Sequence, residues 1–150
     1  MKIIATLRRG TKPAVDETRR RIMRAVHSKN TGPERHVRSV LWRMGYRFRI
    51  HHSGLPGKPD IVLAGRRKVI FVHGCFWHGH RGCSKATVPK SRQDYWIPKL
   101  KRNRERDLQS IDSLRDLGWD VLVIWQCQLA DEATLAETLG HYLGSSRCAS

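Results

Sequence analysis

DIVLAGRRKVIFVHGCFWHGHRGC, residues 60–83, joins two apolar runs through a basic turn and ends in a crowd of histidine and cysteine. The runs DIVLAG (60–65) and KVIFVHG (68–74) read as strands, and the short GRRK link between them makes a hairpin. Antiparallel pairing sets Asp60, at the start of one strand, at the same sheet edge as His73, at the end of the next. An ordinary core strand does not run on into GCFWHGHRGC. The adjacent Phe76 and Trp77 cannot both point into one core from extended backbone, so at least one ring stands free for other work.

Gly and Pro punctuate the chain on either side of this hairpin. Residues 1–15 lack periodicity and read as a flexible basic arm, the domain runs from Asp16 to residue 144, and 145–150 form a disordered tail. ETRRRIMRAVHSKN (17–30) is a helix with Ile22, Met23 and Val26 on one side, and PERHVRSVLWRMG (33–45) is a second helix stopped by Gly45. YRFRIH (46–51) alternates as a strand does, and HSGLPGKP is a turn-rich loop. A long helix covers Ser91 to Leu117, DVLVIW (120–125) is the most buried-looking strand, and a last helix spans Asp131 to Leu143. The order α-α-β-β-β-α-β-α predicts a single α/β domain, a central mixed sheet flanked by helices on both faces.

A chain of 150 residues can bury one core and asks for no second domain. Lys and Arg number 29 against 13 acidic residues, a net charge of +16, which points to a polyanionic partner and first of all to nucleic acid. Acidic residues gather after Asp107 and nearly all basic residues precede it, so one side of the molecule faces phosphate. No apolar run approaches the ~20 residues that cross a bilayer, and MKIIATLRRG is too short and too soon charged for a signal peptide. A cytoplasmic, nucleoid-associated monomer with no membrane partner is expected.

In that reducing compartment four cysteines do not make a disulfide scaffold, and Cys75, Cys83 and the distant Cys127 read as metal ligands. With one histidine they form a Cys3His shell of the closed, structural zinc type. The loop after Gly74 has little aliphatic content, so a zinc ion supplies order that burial does not. Spacing leaves His78 and His80 as alternative fourth ligands, and Cys148 as a spare thiol. On the long helix, Leu100, Ile111 and Leu114 share a face with Asn103 and Asp107 at about 100° per residue. An inward Asp107 needs a partner, and an imidazole suits it. Glu34 also has a local explanation, because Thr31-x-x-Glu34 is a capping box.

LPGKPDIVL and KVIFVHGCFWHGHRGC, with IMRAV, GPERHV, YWIPKLKRNRERD and LGWDVLVIWQC in that order, resemble the very short patch repair (Vsr) DNA mismatch endonucleases over roughly residues 16–130. The resemblance implies a divergent PD-(D/E)xK, restriction-endonuclease-like fold. It implies an enzyme that nicks one strand of duplex DNA 5′ of the thymine in a T:G mismatch, using Mg2+ and a structural zinc loop. Asp60 is then the Mg2+ ligand together with the backbone carbonyl of Val72. His78 is the general base, His73 a second catalytic histidine, Asp107 the acid that orients His78, and Glu34 a supporting carboxylate. His80 becomes the zinc ligand beside Cys75, Cys83 and Cys127. Val72 stands where the family often has Thr, a change that a backbone ligand tolerates, and one extra residue separates His80 from Cys83.

The same resemblance makes Phe76, Trp77 and Trp96 a wedge beside the mismatched pair, offsetting an unstacking cost of ~a few kcal/mol. It places Met23 in the minor groove and Lys99 and Asn103 on bases, and leaves Arg102, Arg104 and Arg106 to hold phosphates. By pattern alone Met23 fits a core equally well, and a core position is the lesser reading of Trp96. Mismatch-repair proteins are the implied partners. If the positive charge meets the DNA backbone, duplex affinity falls steeply with salt, log K dropping by roughly 0.9 per phosphate neutralised for each decade. A flat salt response in a binding titration would remove the backbone contact.

Overall fold

The computed structural model describes residues 29–145. The arm 1–15, nearly all of the expected helix 17–30 with Met23, and Cys148 in the tail lie outside the described residues. Helix α1 spans Gly32–Arg43 and is started by Thr31, whose side chain accepts from the Glu34 N–H. Gly45 ends it with φ 86°, a left-handed conformation that suits glycine. Its N–H reaches the Trp42 carbonyl and the Tyr46 N–H reaches that of Leu41, so two orphan carbonyls of the last turn are satisfied.

Strands β1 (Ile61–Leu63) and β2 (Lys68–His73) are antiparallel, with Ile61 opposite Ile70. The turn between them closes through a short 3-10 segment, Ala64–Arg66, and Arg67 at φ 51°. Helix α2 covers Gln93–Asp116, strand β3 covers Asp120–Trp125 and helix α3 covers Glu132–Leu143. The sheet order is β1-β2-β3, with β3 parallel to β2, so the expected mixed sheet is present.

Helices cover both faces of the sheet. On one, Val37, Val40 and Leu41 of α1 and Leu135, Leu139 and Leu143 of α3 pack on Ile61, Leu63, Ile70, Val72 and Ile124. On the other, Leu114 and Ile111 of α2 pack on Val62, Val69, Phe71, Val121 and Val123. Two expectations need correction. The segment 46–51 is not a strand: only Arg49 pairs, as an isolated bridge to Val62, and His51 at φ 56° turns the chain away. DVLVIW is not the most buried strand: among the described strands it lies at the sheet edge, and only Ile124 in it is buried, whereas β1 and β2 are buried nearly throughout. The apolar run of DVLVIW reflects cover on both faces. Among the described residues no helix is long and apolar enough to cross a membrane.

The basic hairpin turn does structural work. Arg66 donates to the carbonyls of Leu143 and Ser145 at 2.7 and 2.6 Å, and Lys68 to that of Tyr142 at 2.6 Å. Arg67 donates to the carbonyls of Leu117 and Gly118. These cations thus satisfy the C-terminal carbonyls of α2 and α3 and complement their dipoles. Arg66→Ala is expected to lower stability by about 1–2 kcal/mol in urea unfolding, with duplex affinity unchanged. Reduced affinity at unchanged stability would assign Arg66 to the DNA surface instead.

Candidate active site and metal centre

The hairpin delivers Asp60 to the end of β2. Its Oδ2 accepts from the Val72 N–H at 2.7 Å, just beyond the Ile61–Ile70 pair at which the β1–β2 ladder ends. Burial pushes the Asp60 carboxyl up to about 6 despite that hydrogen bond, and the charge of Glu34 adds to the rise, while His78 and Arg38 oppose it. Glu34 is itself buried. Its carboxylate accepts from the Asn30 N–H at 2.9 Å, the Thr31 hydroxyl at 3.1 Å and Arg38 Nη2 at 3.0 Å. It is therefore a helix cap and a neighbour of Asp60 at once.

After β2 the chain turns sharply. His78 N–H reaches the Gly74 carbonyl and His80 N–H that of Cys75. Helix α2 grips three consecutive residues of this turn. Asn103 Nδ2 donates to the Trp77 carbonyl at 3.1 Å, and Asp107 Oδ2 lies 2.6 Å from His78 Nδ1. Gly79, at φ +63°, leaves room for Arg104, whose Cδ would be 2.9 Å from any Cβ there. Asn103 and Asp107 are four apart, so one helical face holds the turn. This is where the inward polar positions of the long helix find their partners.

The His73 and His78 rings stack, centroids 3.8 Å apart and planes 4° from parallel. Burial, and then the positive charge His78 would carry, push the His73 imidazole down to about 4, so it stays neutral near pH 7. Asp107 holds the other ring: with the Nδ1 hydrogen directed at its carboxylate, His78 is left with Nε2 as its unshared nitrogen.

Next to this stack, donor atoms of Cys75, His80, Cys83 and Cys127 all lie within 4.8 Å of one another. His80 Nδ1 is 3.4 Å from Cys127 Sγ. His78, by contrast, is engaged by Asp107. The Cys127 thiol is pushed up to about 11 by burial and by Cys75 and Cys83, because crowded thiolates repel. Three thiols and one imidazole in this arrangement could hold a metal ion, and a dication would relieve that repulsion.

Phe76, Trp77 and Trp96 form one aromatic cluster, with centroid separations of 5.1, 5.4 and 6.0 Å. Lys99 Nζ stands 5.6 Å over Trp77 and 5.8 Å over Trp96. Asn103, expected on a base, has one amide hydrogen committed to the Trp77 carbonyl. Two residues escaped the sequence reading. Tyr95 joins the cluster beside Trp96, and its hydroxyl accepts from Lys99 at 2.8 Å, a pairing that the i,i+4 spacing signals. Trp125 stacks on His80 and abuts His73, and only the register of β2 and β3 places it there.

A half-buried carboxylate beside an acid-oriented imidazole is the donor set that a hydrolytic site needs. Comparison with known proteins narrows the class. The sequence model of the family described as DNA mismatch endonuclease Vsr matches residues 14–85. The chain is 54% identical over 130 residues to the type II nicking enzyme V.XorIIP of Xanthomonas oryzae pv. oryzae, covering 87% of this chain and 95% of that protein. It is 42% identical over 120 residues to the DNA mismatch endonuclease Vsr of Escherichia coli, 80% of this chain and 76% of that one. The chain belongs to the Vsr family of DNA mismatch endonucleases.

Without added divalent cation, folded protein holds the Asp60 proton to about pH 6 and the unfolded chain only to 3.8, so stability falls as pH rises between those values. Asp60→Asn removes that loss. Relative to wild type the variant is expected to gain stability across the window, on the order of 1–2 kcal/mol. Urea unfolding at both ends of the window measures it, and a pH-independent difference would show that Asp60 ionises freely in the fold.

Proposed function

We propose that this endonuclease nicks one strand of duplex DNA 5′ of the thymine in a T:G mismatch, by Mg2+-dependent phosphodiester hydrolysis. The observation that carries the reading is the 2.6 Å His78–Asp107 pair, stacked on His73 at the strand end that also holds Asp60. His78 Nε2 takes a proton from the attacking water, and Asp107 holds the ring and stabilises the imidazolium that results. His73, neutral and fixed, faces the phosphate as a hydrogen-bonding group. Asp60 and the Val72 carbonyl would hold Mg2+, which would supply positive charge to phosphate oxygens. The raised affinity of Asp60 for a proton fits this role, since a carboxylate disfavoured when alone gains most from a cation. Glu34 is the supporting carboxylate near that site, close enough to Asp60 to raise its hold on a proton.

In the same reading Cys75, His80, Cys83 and Cys127 hold a structural Zn2+, and the domain is a restriction-endonuclease-like fold from Asp16 to residue 144. Phe76, Trp77 and Trp96 stack against bases that a mismatch has already loosened, and Lys99 and Asn103 reach base edges. Asn103 Nδ2 retains a second hydrogen for that contact while tethering the loop. Met23 would enter the minor groove. The protein works as a cytoplasmic, nucleoid-associated monomer alongside mismatch-repair proteins.

A nicking assay on T:G and matched duplexes, with Mg2+ or EDTA, tests the reading. A single-strand nick confined to the T:G duplex with Mg2+ is expected. His78→Ala should slow it by about 10²- to 10⁴-fold with binding retained, and Asp60→Ala should abolish it. Equal cutting of both duplexes would leave a nuclease of other specificity, and binding without a nick would leave a DNA-binding module. Elemental analysis should find one zinc per chain, lost together with folding in Cys83→Ser. A well-folded preparation without zinc would remove the structural ion.

A further inference from the structure

Trp125 ends β3 directly opposite His73 in the parallel ladder, two residues before Cys127. Its indole lies flat on the His80 ring, centroids 4.2 Å apart and planes 7° from parallel. The same indole meets the His73 ring edge-on, at 5.3 Å and 73°. His73 stacks in turn on His78, whose Nδ1 is held by Asp107. Four rings therefore run without a break from the Cys75–His80–Cys83–Cys127 cluster to the His78 imidazole. The backbone at Trp125 is fixed as well, its N–H donating to Gln128 Oε1 at 2.7 Å.

We infer that Trp125 is a positioning residue: it braces His73, and through it the His78 ring, against the metal cluster, so that order imposed on His80 reaches the base. The inference rests on the reading of His78 as that base. Parallel stacking alone leaves two rings free to slide, because each dispersion contact is individually weak. A third ring set at a steep angle removes that freedom. Asp107 restrains His78 at one atom, and Trp125 restrains the ring on which His78 lies. A displacement of about 1 Å at the base is enough to cost roughly 100-fold in rate.

Nicking kinetics on a T:G duplex, zinc content and side-chain 1H–15N spectra of the histidines test this together. Trp125→Leu is expected to keep its zinc and its KM and to lose about 10- to 100-fold in kcat, while Trp125→Phe, which retains a flat ring, recovers most of that loss. In the Leu variant the His73 and His78 imidazole signals should shift and broaden while those of His36, His51 and His52 stay in place. A Leu variant with wild-type kcat, or with unmoved His73 and His78 signals, overturns the inference, and so does a Phe variant as slow as Leu. If Trp125→Leu does not fold, Trp125→Met is judged by the same criteria. Nicking that survives His78→Ala would instead sink the reading of the base; nicking lost in His78→Ala but intact in Trp125→Leu sinks only the role of Trp125.

Discussion

The in-register parallel pairing of β2 with β3 is the constraint on which both centres depend. His73 and Trp125 are ladder partners at the strand ends, and two residues further along each chain stand Cys75 and Cys127. A slip of one residue would turn every side chain of β3 to the other face and take Cys127 out of the cluster. The apolar pattern alone resists such a slip poorly, since Val121 and Val123 face one core while Leu122 packs with Ile124 on the other. The ends of the strand supply the missing specificity. Asp120 pairs with Lys68 at 3.5 Å, its N–H reaches the Arg67 carbonyl, and the Tyr142 hydroxyl donates toward the carbonyls of Val69 and Asp120.

With the register fixed, the edge of the sheet collects groups that a core would reject. Glu34 and Asp60 are carboxylates close enough to repel, and Arg38 is the cation that moderates both. His73 is held neutral by burial. Such a concentration of locally unfavourable groups is tolerable because the surrounding elements are over-determined, by the terminal glycines of α1 and α2 and by the side-chain grip of α2 on the turn 77–79. Gly118, at φ 84°, repeats for α2 the termination that Gly45 gives α1.

Much of this was legible in the residues, and the exceptions have physical causes. The hairpin, the long helix and the Asp107 partner followed from length, turn chemistry and the cost of an unpaired inward acid. The segment 46–51 misled because burial with a period of two belongs to any extended chain. Tyr46 and Phe48 pack on the core without a ladder partner, and a three-residue β1 leaves only Val62 for Arg49 to pair with. The choice between His78 and His80 was not legible from spacing, since it turns on which ring α2 reaches. Trp125 was invisible for the same reason: its role exists only once two strands lie side by side.

The distribution of charge takes the same logic one step further. A net charge of +16 invites the view that every cation faces DNA. Arg66, Arg67 and Lys68 sit at the start of β2 and are spent on helix carbonyls. His73 ends the same strand, about 17 Å away at some 3.3 Å per residue. Lys99 works on the site side, over rings that the His78 turn presents. The cations at the start of β2 close the fold, while Lys99 stands on α2 beside the aromatic cluster at the other end. Net charge names the partner, and the hydrogen bonds decide which cations are free to meet it.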